Sequence, residues 1–312
     1  MVKFSFFLPA FKAQYLDKAI SGIVQQIYKD WELLIVNDAS PEDLKSIVDP
    51  YLSDPRVKYF QNEKNRGRTD LVGFWNSYIP VCSGEYIVFA SDDDLYDPNY
   101  LLEMLSLTEQ FPNCDLYHCR IRYIDELGRI IQVAQPAQCY ETQIDFIYQR
   151  LVWKRKQTLQ EFVFRKAALL KKGGLVSFPL AWTSDSATTY LMAEHGVAYT
   201  GKILFSSRAS GCHISNEALY APQKIEAMKR SGQWLLDFLP NVKCDSKEEE
   251  FMKKEALRIC TAERYASYPK YLQKLGLTDF LKEMTYIAQH HIFSWRARVV
   301  FTIKRLIPWF PL

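Results

Sequence analysis

The chain of 312 residues has seven cysteines, Cys82, Cys114, Cys119, Cys139, Cys212, Cys244 and Cys260, but no C-x-x-C pair. A zinc ribbon is therefore excluded. Odd number and irregular spacing fit reduced thiols, so a cytoplasmic setting is expected. No uncharged apolar run reaches the roughly 18 residues that span a bilayer. No cleavable leader is expected either, because Met1-Val2-Lys3-Phe4 runs straight into a strand pattern. No glycine follows the first strand, which continues Leu8-Pro9-Ala10-Phe11-Lys12. That lack excludes the G-x-G-x-x-G turn of nicotinamide-dependent oxidoreductases. It also argues against a nucleotidyltransferase, which needs a Gly-rich phosphate loop there. Net charge is only +3, too little excess to argue for nucleic-acid binding. Internal repeats and low-complexity tracts are missing.

Hydrophobic residues make up 48% and aromatics 14% of the chain, enough for a sizeable core. The first hundred residues alternate strand and helix. Phe4 to Leu8 reads as a buried strand stopped by Pro9. Leu16, Ala19, Ile20, Ile23, Val24 and Ile27 have helical spacing. Trp31 to Val36 is a second strand. Ser40 before Pro41 predicts an N-cap with proline in the first helical turn, and a helix to about Leu52. Val57 to Gln61 is a third strand, Thr69 to Val81 a helix, Tyr86 to Ala90 a fourth strand, and Tyr100 to Glu109 a helix. This order predicts an α/β fold whose mainly parallel sheet has helices on both faces. Ligands of such sheets sit outside the carboxyl ends of the strands. Further on, Leu116 to Ile124 and Ile130 to Val133 read as strands about a turn at Asp125 to Gly128. Lys172-Gly173-Gly174 reads as a loop, Ala187 to Glu194 as a helix and Val197 to Phe205 as a strand. The last hundred residues are helix-like.

Asp92-Asp93-Asp94 falls at the end of the fourth strand. Crowded carboxylates repel unless a cation joins them, and a hard divalent ion is the usual partner. The alternative is a solvated acidic loop capping the next helix. Asp38, at the end of the second strand, suits a base or ribose hydroxyl, or an Asx-turn. Asn65-Arg66-Gly67-Arg68 has two guanidinium forks for phosphate, or is a basic surface loop. Asp185, in Trp182-Thr183-Ser184-Asp185-Ser186, is a candidate general base or a helix N-cap. Arg208 and His213 offer a diphosphate partner and a metal ligand.

Together these segments resemble the inverting family 2 glycosyltransferases of the GT-A fold. Phe7-Leu8-Pro9-Ala10-Phe11 is similar to the family's opening strand. Glu32 to Ser40 is close to its E-I-I-V-V-D-D-G-S segment, and Asn62 to Gly67 resembles its N-x-G loop. Gly84-Glu85-Tyr86-Ile87-Val88-Phe89-Ala90-Ser91-Asp92-Asp93-Asp94 resembles its G-E-Y-I-x-F-L-D-x-D-D strand. The resemblance implies transfer of a sugar, with inversion, from a nucleoside-diphosphate sugar to a glycan or lipid-linked acceptor. It implies Mn2+ or Mg2+, held by Asp93 with His213 near the metal or diphosphate. Donor contacts would come from Pro9, Ala10, Asp38, Asn65, Arg66, Gly67, Arg68, Asp92 and Arg208, and Asp185 would be the base. Four positions depart from the pattern. Ser91 replaces the first aspartate, leaving the DXD register open by one residue. Phe11-Lys12 replaces Tyr-Asn, and Ser184 replaces the glutamate before the base. A non-catalytic glycan-assembly partner with the same fold is the competing reading.

The expected organisation is a catalytic unit over 1–215 and a helical region over 216–312. The stretch from His291 onward has four Arg/Lys and no acid, so an anionic membrane surface, at the inner face of the cell membrane, is an expected partner.

Overall fold

The computed structural model describes residues 2–209, 220–263, 268–290 and 292–306. Strands β1 (Phe4–Ala10), β2 (Trp31–Asn37), β3 (Val57–Gln61) and β4 (Tyr86–Phe89) are joined by α1 (Leu16–Val24), α2 (Leu44–Val48) and α3 (Gly67–Tyr78). They pair in parallel in the order β3-β2-β1-β4. Their apolar runs are continuous because both faces are covered. Phe6, Leu8, Leu33, Ile35 and Val88 pack with α1 on one face. Phe7, Leu34, Val36, Ile87 and Phe89 alternate onto the other, against Val72 and Phe74 of α3. All four carboxyl ends therefore meet at one edge.

The second half breaks the parallel pattern. It contains β5 (Leu95–Tyr96), α4 (Tyr100–Gln110), β6 (Leu116–Ile124), β7 (Ile130–Val133), β8 (Tyr140–Glu141), α5 (Gln143–Leu151), β9 (Phe162–Arg165), α6 (Lys166–Lys171), α7 (Ser184–Met192) and β10 (Val197–Arg208). The short run Phe162-Val163-Phe164, which the sequence reading leaves unassigned, enters the sheet centre antiparallel to both β4 and β6. The sheet order is β3-β2-β1-β4-β9-β6-β10-β5. Among the described residues four pairings are parallel and five antiparallel, so the sheet is mixed.

Two local expectations change. Pro9 lies inside β1 rather than ending it. The Phe7 carbonyl accepts from the Ala90 amide on the β4 side, and Pro9, two residues on, faces that same side after β4 has ended. Its missing N–H leaves no ladder bond unmade. The second helix is capped by Asp43, whose Oδ1 accepts from the Ser46 amide at 3.2 Å. Ser40 instead holds the turn before the helix, its Oγ accepting from the Glu42 amide at 3.1 Å and donating to the Phe11 carbonyl at 2.6 Å.

Helices α8 (Ala221–Phe238), α9 (Lys247–Glu263), α10 (Tyr268–Leu272), α11 (Leu277–Gln289) and α12 (Trp295–Leu306) complete the chain. Leu239, Ala256 and Cys260 join the core on the α3 face of the sheet. By contrast, Ala221 and Ile225 of α8 form a separate small core with Tyr268, Tyr271, Phe280 and Ile287. No helix among the described residues is long and apolar enough to cross a membrane.

Candidate active site

Hydrogen bonds knit the carboxyl ends of the parallel strands. The Asp38 amide donates to the Ala10 carbonyl at 3.0 Å, joining β2 to β1. Its carboxylate is buried and accepts three donors: Asn62 Nδ2 at 2.7 Å, the Arg66 amide at 2.9 Å and the Gly67 amide at 2.7 Å. The last two are unpaired donors at the start of α3, so Asp38 holds the loop that carries Arg66 and Arg68. Gly67 fits closely, since a Cβ there would sit 3.0 Å from Asp38 Oδ2. Asn65 Oδ1 accepts from the Arg68 amide at 2.8 Å, closing the same turn. Arg66 is half-buried, its guanidinium 5.4 Å from the centre of the Phe74 ring, and Arg68 is exposed.

The three aspartates divide by environment. Asp92 Oδ2 accepts from the Phe11 and Lys12 amides at 2.9 and 2.8 Å, fastening the end of β4 to the end of β1 beyond Pro9 and Ala10. Burial raises its pKa, against those two hydrogen bonds, and the charge of Asp93 raises it further. Asp94 is buried between Ser91 Oγ at 2.5 Å and the Arg208 amide at 2.8 Å. Burial, and then the charge of Asp93, push its pKa up to about 7. Ser91 and Asp94 are thus a structural pair. Asp93 lies between the two and raises both neighbours, a charge distribution that favours a cation beside the run.

Arg208, expected to face a diphosphate, is buried. Its Nε donates to the Asp93 carbonyl at 2.9 Å, and Nη1 to the Asp125 and Glu126 carbonyls at 3.0 and 3.2 Å. Its guanidinium lies 4.2 Å from the centre of the Tyr15 ring. The side chain therefore locks the backbone of the acidic run. His213 falls outside the described residues. Among the described residues no three His, Cys, Asp or Glu side chains form a ready metal cage. Asp92 and Asp93 fit an ion such as Mg2+ or Mn2+, which needs only one or two protein carboxylates and takes phosphate and water oxygens besides.

Asp185 sits in the first turn of α7 and lines a cleft of about 500 Å³ with Trp75, Gln160, Leu180, Trp182 and Lys224. It is not the N-cap. That position is Thr183, at φ 59°, and Leu180 and Ala181 also have left-handed φ of 59° and 53°. Three such non-glycine residues in four positions store backbone strain beside the candidate base. Ser184 is buried, and its Oγ accepts from the Phe178 amide at 3.2 Å. It thus serves packing at the position where a glutamate is expected. Tyr96, two residues beyond Asp94, donates its hydroxyl to the Gln160 carbonyl at 2.8 Å. This bond couples the acidic run to the cleft wall. Sequence reasoning missed Tyr15, Trp75, Gln160 and Lys224. Trp182, directly before the Asp185 turn, was the one visible signal of an aromatic cleft wall.

The half-Rossmann order β3-β2-β1-β4, with an acidic run at the end of β4 and a mixed second half, defines a GT-A type α/β protein. The sequence profile of the family described as "Glycosyl transferase family 2" matches residues 5–175. The chain belongs to that family. An uncharacterized glycosyltransferase of Rickettsia typhi is 26% identical over 228 residues, covering 72% of this chain and 69% of the relative. A GalNAc(5)-diNAcBac-PP-undecaprenol beta-1,3-glucosyltransferase of Campylobacter jejuni is 38% identical over 96 residues, 30% of each chain. The crystal structure of S. aureus TarS residues 1-349 in complex with UDP-GlcNAc superposes with a TM-score of 0.65. That match covers 97% of this chain and 87% of the other at 18% identity, a likeness of fold.

Proposed function

We propose that this protein moves a sugar from a nucleoside-diphosphate sugar to a hydroxyl of a glycan or lipid-linked acceptor, with inversion, in polysaccharide assembly. The observation that carries the reading is the join between two features: the acidic run at the end of β4, and a cleft presenting Asp185, bridged by Tyr96 and Gln160. The Campylobacter relative, named for an undecaprenol-linked acceptor, supports the lipid-linked option. Such an acceptor would meet the enzyme at the inner face of a cell membrane.

Asp185 takes the proton from the acceptor hydroxyl as that oxygen attacks the anomeric carbon. The new C–O bond forms as the bond from the anomeric carbon to the diphosphate oxygen breaks, on the opposite face of the sugar. The nucleoside diphosphate leaves. Asp93 and Asp92 would hold Mg2+ or Mn2+, which when bound neutralises charge on the diphosphate. Arg66 and Arg68, presented by the loop that Asp38 fastens, contribute positive charge near the phosphates. Asp38 orders the nucleotide end, with Pro9, Ala10, Asn65 and Gly67 as its backbone frame. Arg208 acts as a positioning residue through the Asp93 carbonyl. Residues 1–215 are read as the catalytic unit and 216–312 as a helical extension.

The test is a panel of nucleotide sugars assayed for nucleoside-diphosphate release with manganese, with magnesium and with chelator. Metal-dependent release from one donor is expected, and Asp93→Ala should abolish it while the fold remains intact. Release from no donor would favour a non-catalytic partner, and full activity of Asp93→Ala would overturn the metal assignment. A product of retained anomeric configuration would overturn the single displacement.

A further inference from the structure

Helices α10 to α12 pack with the start of α8 around Tyr268, Tyr271, Phe280 and Ile287. That core covers only part of the apolar arc of α11. Beside it runs a second stripe at helical spacing: Leu277, Leu281, Met284 and Ala288. Leu277 and Leu281 are each 56% exposed. On α12, Trp295 is 64% and Val299 46% exposed, one turn apart. Met284, which also packs on the small core, lines one open groove between the two helices with Ala288, Trp295, Val299 and Ile303, so among the described residues the stripes form a single uncovered apolar face.

Charge selects what covers this face. Residues 268–312 carry seven lysines and arginines against two acids, whereas residues 1–267 carry 32 against 34. The net positive charge of the chain thus resides in the segment that carries the apolar stripes, with Arg296 and Arg298 near Trp295 on α12. A second copy seated on the same face would bring like charges together, because a two-fold contact pairs a patch with itself. A bilayer containing anionic lipid instead takes the leucines and tryptophan into its interface and the cations at its headgroups.

We propose that the α11–α12 face docks on an anionic lipid surface. The face is coupled to the cleft, because Trp182 packs on the same small core, 6.0 Å and edge-on from Tyr271. Docking would hold the cleft beside an acceptor anchored in that surface. The inference extends the lipid-linked acceptor reading, but its test does not depend on turnover.

The full chain is floated with phosphatidylglycerol/phosphatidylethanolamine vesicles and, in parallel, with phosphatidylcholine vesicles. Recovery with the anionic vesicles is expected to be about ten-fold higher, and to fall in high salt. Leu277→Asp/Leu281→Asp and Arg296→Glu/Arg298→Glu should each lose about ten-fold of that binding, as expected for removing apolar insertion or reversing two headgroup contacts. Leu277, Leu281 and Arg296 are exposed and Arg298 is half-buried at the groove, so the melting curves of both variants are compared with the parent chain. Variants that fold and float like the parent would overturn the proposal. So would a parent dimer in solution that Leu277→Asp/Leu281→Asp converts to monomer. Donor hydrolysis in solution by both variants should match the parent. Lost flotation with hydrolysis intact supports docking, whereas absent hydrolysis in the parent overturns only the transfer reading.

Discussion

Replacing Asp38 separates two roles that one carboxylate can play. Its oxygens accept from Asn62 Nδ2, the Arg66 amide and the Gly67 amide at 2.7 to 2.9 Å. A hydrogen bond to a charged group contributes about 1.5–3 kcal/mol net. Asp38→Ala removes three, but water can reach the half-buried Arg66 and Gly67 amides and recover roughly half of that sum. The expected loss is about 2–4.5 kcal/mol. At roughly 2–4 °C per kcal/mol for a large domain, the melting midpoint should drop by about 4 °C or more. Asn62→Ala removes one donor of the three and should cost about 1 kcal/mol. Thermal unfolding by circular dichroism gives the stability, and calorimetric titration with nucleoside diphosphate gives the affinity. Both should fall in Asp38→Ala, because the loop carrying Arg66 and Arg68 loses its anchor. An unchanged midpoint would refute the fastening role. Lost nucleotide affinity at an unchanged midpoint would assign Asp38 to direct nucleotide contact alone.

Asp185→Asn removes the proposed base without changing shape. It should lower kcat by about 10²–10⁴-fold and leave the donor KM nearly unchanged, read by nucleoside-diphosphate release. Equal kcat would remove Asp185 from the chemistry. Glu161 is buried against His118, and burial raises its pKa from 4.5 to about 8. The folded state therefore favours the protonated acid, so stability is full below pH 4.5 and declines as pH rises towards 8. Glu161→Gln should flatten that decline in urea titrations between pH 5 and 8, and an unchanged slope would contradict it. Gly84 packs so closely that a Cβ would lie 2.6 Å from the Ser5 amide nitrogen. Gly84→Ala should cost about 1–3 kcal/mol in the same urea titrations, and a cost near zero would show that β1 can yield there.

The family segments were legible because each is local: a strand of apolar residues, then a polar group at its carboxyl end. Parallel pairing brings Ala10, Asp38 and Asp92 to one edge whatever the detail, so their neighbourhood could be read from order alone. Glu32 shows the limit. It belongs to the same quoted segment, yet it lies at the opposite end of the sheet, taking hydrogen bonds from Ser5, Ser83 and Lys58. Burial alone would raise its pKa, but those donors together lower it, marking Glu32 as a charged structural clamp.

The sequence by itself determined the alternation of β1 to β4 with their helices, because side-chain period and capping act over a few residues. It also determined that acids stand at two strand ends. Only the tertiary structure decided what each acid does. Backbone amides that bind Asp38, Asp92 and Asp94 lie 28, 81 and 114 residues away, beyond any local pattern. Those contacts turn Asp94 and Arg208 into fasteners, give Asp92 a bond to the end of β1, and set Asp93 between its two neighbours. Tertiary packing likewise placed β9 in the sheet centre, because the three-residue apolar run Phe162-Val163-Phe164 has no period of its own and takes the slot that buries it.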